Sequence, residues 1–160
     1  MISVPQLCFQ VAELPAQGKT VEGSVDFDAL DPGDDGRLQF PYPLHFRLVI
    51  APVQQGILVR GTLDTVVRAP CDRCLCDVDV PVRVDDACYH FEEMPVGVLD
   101  LTEPVREDIL LVLPQGCLCR DDCRGLCPSC GQNLNEGTCS CPASGDDDSP
   151  WGALDRLDLP

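Results

Sequence analysis

The sequence predicts an α+β protein: mainly antiparallel β-sheet, one packed helix at about 102–113, and a small cysteine-rich, zinc-binding extension after it. Three observations predict this. Between 40 and 91 apolar and polar residues largely alternate, the period of half-buried strands. Between 101 and 113 the period becomes helical. From Cys117 to Cys141 the chain packs in seven of its twelve cysteines. The expected division is a β-rich domain with one helix at 1–116, a zinc-binding cysteine module at 117–141, and an acidic linker with a short helix at 142–160.

The first 37 residues read as a short strand near Leu7–Val11, then a mixed segment ending in the loop Asp31-Pro-Gly-Asp-Asp-Gly36. Cys8 stands alone among apolar neighbours, which suits a buried, inert thiol. Leu44, Phe46, Leu48 and Ile50 alternate with His45, Arg47 and Val49. His45 therefore faces solvent. Gln54-Gln55-Gly56 makes a turn, and the β-branched run 57–67 makes the next strand. Cys71-Asp-Arg-Cys74 follows, and alternation resumes at Val78, Val80, Val82 and Val84. The Cys71/Cys74 pair thus sits at a connection between strands. Ala87–Phe91, with Cys88, reads as a further strand. Thr102 is placed to cap the helix, with Glu103 and Pro104 in its first turn. Val105, Ile109, Val112 and Leu113 form its apolar stripe, with Arg106, Glu107 and Asp108 opposite. Pro114 ends it.

In the cysteine module, Cys127-Pro-Ser-Cys130-Gly is a metal knuckle, and Cys139-x-Cys141 lies a short turn-rich loop beyond. Two close thiol pairs divided by a loop meet the requirement of a tetrahedral Zn–S4 site. Cys127, Cys130, Cys139 and Cys141 are the favoured set. Cys119 and Cys123 are alternates, completing a set with Cys127 and Cys130. Cys71 and Cys74 offer a second site, pairing in space with Cys119 and Cys123. A disulfide cluster in a secreted protein is the competing reading. The N-terminal residues lack the basic region and apolar core of a signal peptide, so a reducing compartment, the cytoplasm, and bound zinc are expected.

At 160 residues the chain is the size of one ordinary domain, with no run apolar enough to span a membrane. Its formal charge is −16 and Lys19 is its sole lysine. That balance opposes unaided RNA binding, which depends on clustered Lys and Arg. It favours a basic protein partner. Direct RNA contact would return if Arg60, Arg68, Arg73 and Arg83, which flank the first knuckle, converged on one face. After the linker 142–150, Trp151, Leu154 and Leu157 share a stripe. They either close the core or anchor a partner, Trp being frequent at binding hot spots.

These features together resemble the YceD family. The resemblance rests on Cys71-x2-Cys74-Leu between strands and on the helix Glu-Asp-Ile-Leu-Leu-Val-Leu-Pro114. It continues through Cys119-x3-Cys123-x-Gly-Leu-Cys127-Pro-x-Cys130-Gly-x-Asn133-Leu-Asn135, Cys139-x-Cys141 and Ser149-Pro-Trp151-Gly-Ala-Leu154-x-x-Leu157. It covers about 40–157, and the Gly-Leu-Cys-Pro-x-Cys-Gly-x-Asn-Leu-Asn string is its most specific part. Members are known as large ribosomal RNA subunit accumulation proteins. The resemblance implies a non-enzymatic factor in large-subunit RNA processing or accumulation, with a basic ribosomal protein or assembly factor as partner. Some members lack the C-terminal cysteines, which favours a metal that staples a loop-rich extension.

A different class is a thiol redox or zinc-storage protein using Cys71/Cys74 and the C-terminal thiols. Against redox chemistry, nothing after Cys74 reads as the helix whose N-terminus would lower a thiol pKa. No Ser, Cys or His spacing suggests a catalytic triad, and no catalytic residue or small-molecule substrate is assigned. Four thiolates close a zinc site, whereas catalytic zinc keeps a position open for water.

Overall fold

The computed structural model describes residues 4–33, 36–54, 56–92 and 97–141. Its frame is a four-stranded antiparallel sheet in the order β2-β3-β4-β5. These strands are β2 (Lys19–Val25), β3 (Leu44–Val53), β4 (Gly56–Pro70) and β5 (Asp77–Phe91). β1 (Cys8–Gln10) pairs antiparallel with β6 (Val98–Asp100) beside it. The helix α1 spans Thr102–Leu111.

The alternation in β3 is realised directly. Leu44, Phe46, Leu48 and Ile50 are buried, while His45, Arg47 and Val49 are exposed. Ile57, Val59, Leu63 and Val67 of β4 and Val82 and Val84 of β5 join the same core, which α1 covers with Val105 and Ile109. β4 and β5 pair from Ile57↔Phe91 to Pro70↔Asp77, with one irregularity between Gly61 and Leu63. Ala87–Phe91 is therefore not a separate strand. The bulge lets one long strand change register while keeping its core-facing side in place.

The N-terminal third holds more structure than a mixed segment. β2 runs along β3 as an edge strand, exposed at most positions. The strand expected at 7–11 is the three residues of β1. Cys8 is half-buried rather than buried, and its thiol donates to the Val4 carbonyl.

The helix begins where expected and ends sooner. Thr102 is its first residue rather than its cap. The Asp100 carboxylate accepts the Thr102 N–H at 2.9 Å, and the Thr102 hydroxyl accepts the Val4 N–H at 3.0 Å. The helix stops at Leu111, leaving Val112 at 42 % exposure, off the buried stripe. Leu113 still packs against the core. Arg106 does not simply face solvent: it donates to the carbonyls of Leu30 and Asp31 and ties α1 to the N-terminal segment. Among the described residues no helix is long and apolar enough to cross a membrane.

Candidate metal centres

Because β4 and β5 are long, the loop 71–76 is carried to the end of their hairpin, beyond the main core. There Cys71, Cys74 and Cys123 form a second, small buried cluster with Val78 and Leu126 against it. The sequence after α1 returns to this tip. The Asp72 N–H donates to the Cys117 carbonyl and the Cys117 N–H donates to the Asp72 carboxylate, both at 2.8 Å. Arg37 bonds the other oxygen of Asp72 and also the Gln115 carbonyl.

The result is two groups of four thiols. One is Cys71, Cys74, Cys119 and Cys123; the other is Cys127, Cys130, Cys139 and Cys141. Within each group all sulfurs lie within 4.8 Å of one another. Both groups could hold a metal ion. A tetrahedron with sulfur at ~2.3 Å from its centre has edges of about 3.8 Å. The Cys71–Cys123 and Cys74–Cys119 sulfurs are 3.8 and 3.6 Å apart, so the donor set fits zinc in spacing as well as in softness. The alternate set, Cys119 and Cys123 with Cys127 and Cys130, is not the grouping the fold assembles.

The knuckles of the two groups share one backbone design. In the first, the Leu75 N–H donates to the Cys71 carbonyl at 2.9 Å and the Cys71 N–H to the Cys76 carbonyl at 2.8 Å. In the second, the Gly131 N–H donates to the Cys127 carbonyl and the Cys127 N–H to the Gln132 carbonyl, both at 2.8 Å. The residue after the second cysteine is left-handed in both, Leu75 at φ 60° and Gly131 at φ 73°. This turn aims amide N–H groups at the first sulfur. The N–H groups of Arg73 and Cys119 point at Cys71 Sγ at 3.5 and 3.4 Å.

The thiol acidities follow from these bonds. The Cys74 amide leads in pulling Cys71 down to about 6, and the Cys130 and Ser129 amides pull Cys127 down to about 6. At Cys123 burial opposes ionisation, but the Asn135 amide and the Gly125 N–H outweigh it and hold the thiol below its ordinary value. Their neighbours keep protons. Cys74 is pushed up to about 11, the pull of the Cys76 amide being outweighed by the Cys76 thiol and by burial. Cys141 is pushed up to about 12, first by its hydrogen bond with the Cys130 thiol and then by burial. Crowded thiols divide in this way when no cation is at hand, and a divalent cation displaces the remaining protons.

Several residues of the site were given no role in the sequence reading. Cys76 Sγ lies 3.2 Å from Cys74 Sγ. Asp72 and Arg37 lock the module to the hairpin tip. Asn135 donates to Cys123 Sγ at 3.3 Å from inside the loop of the other group. Gly125, at φ 75°, is needed for a close approach: a Cβ there would sit 3.0 Å from the Arg73 carbonyl oxygen, which accepts the Leu126 N–H.

Three of the four arginines flanking the first knuckle have separate engagements, while Arg60 is exposed on β4. Arg68 forks onto Asp79 across the β4–β5 pair, Arg83 binds Asp85, and Arg73 donates to the Asp121 and Cys123 carbonyls. Trp151, Leu154 and Leu157 lie outside the described residues. On the sheet, Tyr42, His45, Asp64, Thr65, Pro81 and Arg83 help line an open groove of about 440 Å³. Its lining includes no serine or cysteine that His45 could activate.

Fold and site together define a small antiparallel β protein whose hairpin tip and C-terminal module are organised by two tetrathiol centres. The profile of the family described as large ribosomal RNA subunit accumulation protein YceD matches residues 88–158. Across that stretch the chain is similar to the YceD family. An uncharacterized protein of Mycobacterium tuberculosis is 36% identical over an alignment of 106 residues, taking in 57% of this chain and 51% of the relative. One from Mycobacterium leprae is 28% identical over 115 residues, 61% of this chain and 52% of the relative. A Zea mays chloroplastic protein, a large ribosomal RNA subunit accumulation protein YCED homolog, is 33% identical over 69 residues, 42% of this chain and 23% of the relative. The chain spans about half the length of the mycobacterial relatives it matches. No solved structure matches it.

Proposed function

We propose that this chain is a non-enzymatic, cytoplasmic factor supporting the processing and accumulation of large-subunit ribosomal RNA, and so ribosome biogenesis. The family match over 88–158 carries the reading. Two zinc ions are structural: one held by Cys71, Cys74, Cys119 and Cys123, the other by Cys127, Cys130, Cys139 and Cys141. Four thiolates leave no position for water, so zinc here shapes the surface rather than activating a substrate. Residues 117–141 serve as a zinc-dependent module clamped to the β domain of 1–116.

At a formal charge of −16 the surface suits a basic partner, a ribosomal protein or assembly factor, shielded until RNA replaces the acidic surface. The engagement of Arg68, Arg73 and Arg83 with acidic side chains or carbonyls argues against a free basic patch for RNA. Trp151, Leu154 and Leu157, in 142–160, are assigned as the anchor for that partner.

The test is depletion of the protein in its host. The ratio of large- to small-subunit ribosomal RNA should fall, and the intact chain should restore it. An unchanged ratio would sink the proposal. If protein purified anaerobically held no metal and Cys71 and Cys74 cycled reversibly between dithiol and disulfide, the redox alternative would take its place.

A further inference from the structure

From the placement of Asn135 we infer that the two metal centres are interlocked, each strengthening metal binding at the other; the inference rests on the two-zinc reading. Asn135 lies in the loop between Cys130 and Cys139, yet it serves the other centre. Its amide nitrogen donates to Cys123 Sγ at 3.3 Å and to Asn133 Oδ1 at 2.9 Å. Its amide oxygen accepts from the Arg124 N–H at 2.9 Å and from the Arg120 guanidinium at 2.7 Å. An Asn side chain has two donors and two acceptor positions, and all four are used. The saturation fixes the amide's orientation: turned over, it would present oxygen to a thiolate and nitrogen to two donors.

The loop that aims Asn135 is shaped by the second centre. The Asn135 N–H bonds Asn133 Oδ1, whose own amide nitrogen bonds Glu136. Leu126 and Asn133 form a β-bridge, and the Leu134 N–H donates to the Gly125 carbonyl. That bridge sits directly on the Cys127 knuckle. In the opposite direction, the chain entering the knuckle is held by the Leu126 N–H on the Arg73 carbonyl, between Cys71 and Cys74 of the first centre. Each centre therefore supplies the backbone that positions a bonding group of the other. Metal at the second orders the loop and its outer donor to Cys123. Metal at the first fixes the carbonyl on which the second knuckle is built. Coupling of this kind is reciprocal by linkage, and outer donors to a ligating atom are commonly worth about 10–100-fold in metal affinity.

The test is anaerobic titration of the metal-free full chain with Co2+. Thiolate-to-cobalt absorption counts the filled centres, and competition with a chelator ranks their affinities. Wild type should bind two ions. Asn135→Ala should still bind two, with the first centre weakened about 10–100-fold. The Cys127→Ser/Cys130→Ser variant should bind one ion at a similarly weakened first centre. Adding Asn135→Ala to that variant should cost nothing further, because the loop no longer presents the amide. Asn135→Asp keeps the oxygen for Arg124 and Arg120 and replaces the nitrogen that donates to Cys123 and Asn133 with a carboxylate oxygen. It should weaken the first centre too, and it replaces the alanine variant if that one loses its β-sheet circular dichroism. Two ions in wild type with unchanged affinities in both Asn135 variants would overturn the interlock and leave the metal reading standing. Additive losses in the combined variant would also overturn it. Fewer than two ions in wild type would overturn the metal reading and the interlock with it.

Discussion

Replacing Cys119 and Cys123 by serine should release the clamp between the C-terminal module and the hairpin tip, and the stability lost can be worked out. Cys74 and Cys119 are 45 residues apart in sequence. An ion that bridges that span only in the folded state, present at about 1,000 times its dissociation constant, stabilises that state by about 4 kcal/mol. For a chain of this size each kcal/mol moves the melting temperature by about 2–4 °C, so the zinc-loaded variant should melt about 8–16 °C below zinc-loaded wild type. The assay is thermal denaturation read at the β-sheet circular dichroism band, with and without a strong chelator. Chelation should lower the wild-type melt by a similar amount and barely move that of the variant. The second centre, though coupled to the first, spans only the local segment from Cys127 to Cys141, so its weakening should move the sheet melt little. A wild-type sheet that melts at one temperature with and without metal would refute the clamp. So would a variant that melts with wild type.

Two further predictions concern the β domain. The Tyr89 hydroxyl is buried without a hydrogen-bond partner among the described residues. Burial, with the Asp108 carboxylate adding to it, raises its pKa well above the ordinary phenol value. Tyr89→Phe should therefore stabilise the fold by about 1 kcal/mol near neutral pH. A folded-state pKa above the unfolded one favours the native state below pH ~10 and loses that advantage as pH rises, so the variant should show a shallower alkaline loss than wild type in melts from pH 8 to 11. A lower melting temperature for Tyr89→Phe at pH 8 would contradict the missing partner. On α1, Ile109 is fully buried and Leu111 is 80 % exposed. Ile109→Ala should cost about 2–5 kcal/mol and Leu111→Ala less than about 0.5, measured by denaturant midpoints. Equal costs would mean the helix register is wrong.

The parts legible in the sequence are those where one physical cause dominates. β3 alternates because one face is core and the other solvent, and its four buried residues could be read directly. β2 could not, since an edge strand exposed on both sides has no face to mark; Lys19-Thr-Val-Glu-Gly-Ser-Val25 shows no period. The three-residue β6 is too short for one. Val112 was misplaced because helical spacing continues in sequence past the point where the helix stops. For the thiols, spacing identifies each knuckle but says little about a pairing across 45 residues. One local signal did exist: Cys71-Asp-Arg-Cys74 and Cys127-Pro-Ser-Cys130 are both complete knuckles. Two knuckles can found two centres, each completed by a looser pair, Cys119/Cys123 or Cys139/Cys141. Asn135 had no such signal, because its role depends on the loop of one centre touching the other.

The position of the centres follows from where the apolar core runs out. The main core ends along β4 near Val67 and along β5 near Val82, yet the hairpin continues to Pro70 and Asp77. At the tip the buried side chains are Cys71, Cys74 and Cys123, helped by Val78 and Leu126. So few small residues bury too little apolar surface to hold a 25-residue extension in place, and the chain's net charge of −16 opposes compaction. Metal ligation would supply what burial cannot there, and it would also bring two positive charges to each group of four thiolates. The order of unfolding follows. Loss of metal should free the tip and the module first, while the sheet beneath α1, built on Leu48, Ile50, Val59 and Ile109, persists at reduced stability. A partner that recognises the assembled module would then bind only the metal-loaded chain. The thiols would control that binding without touching the partner.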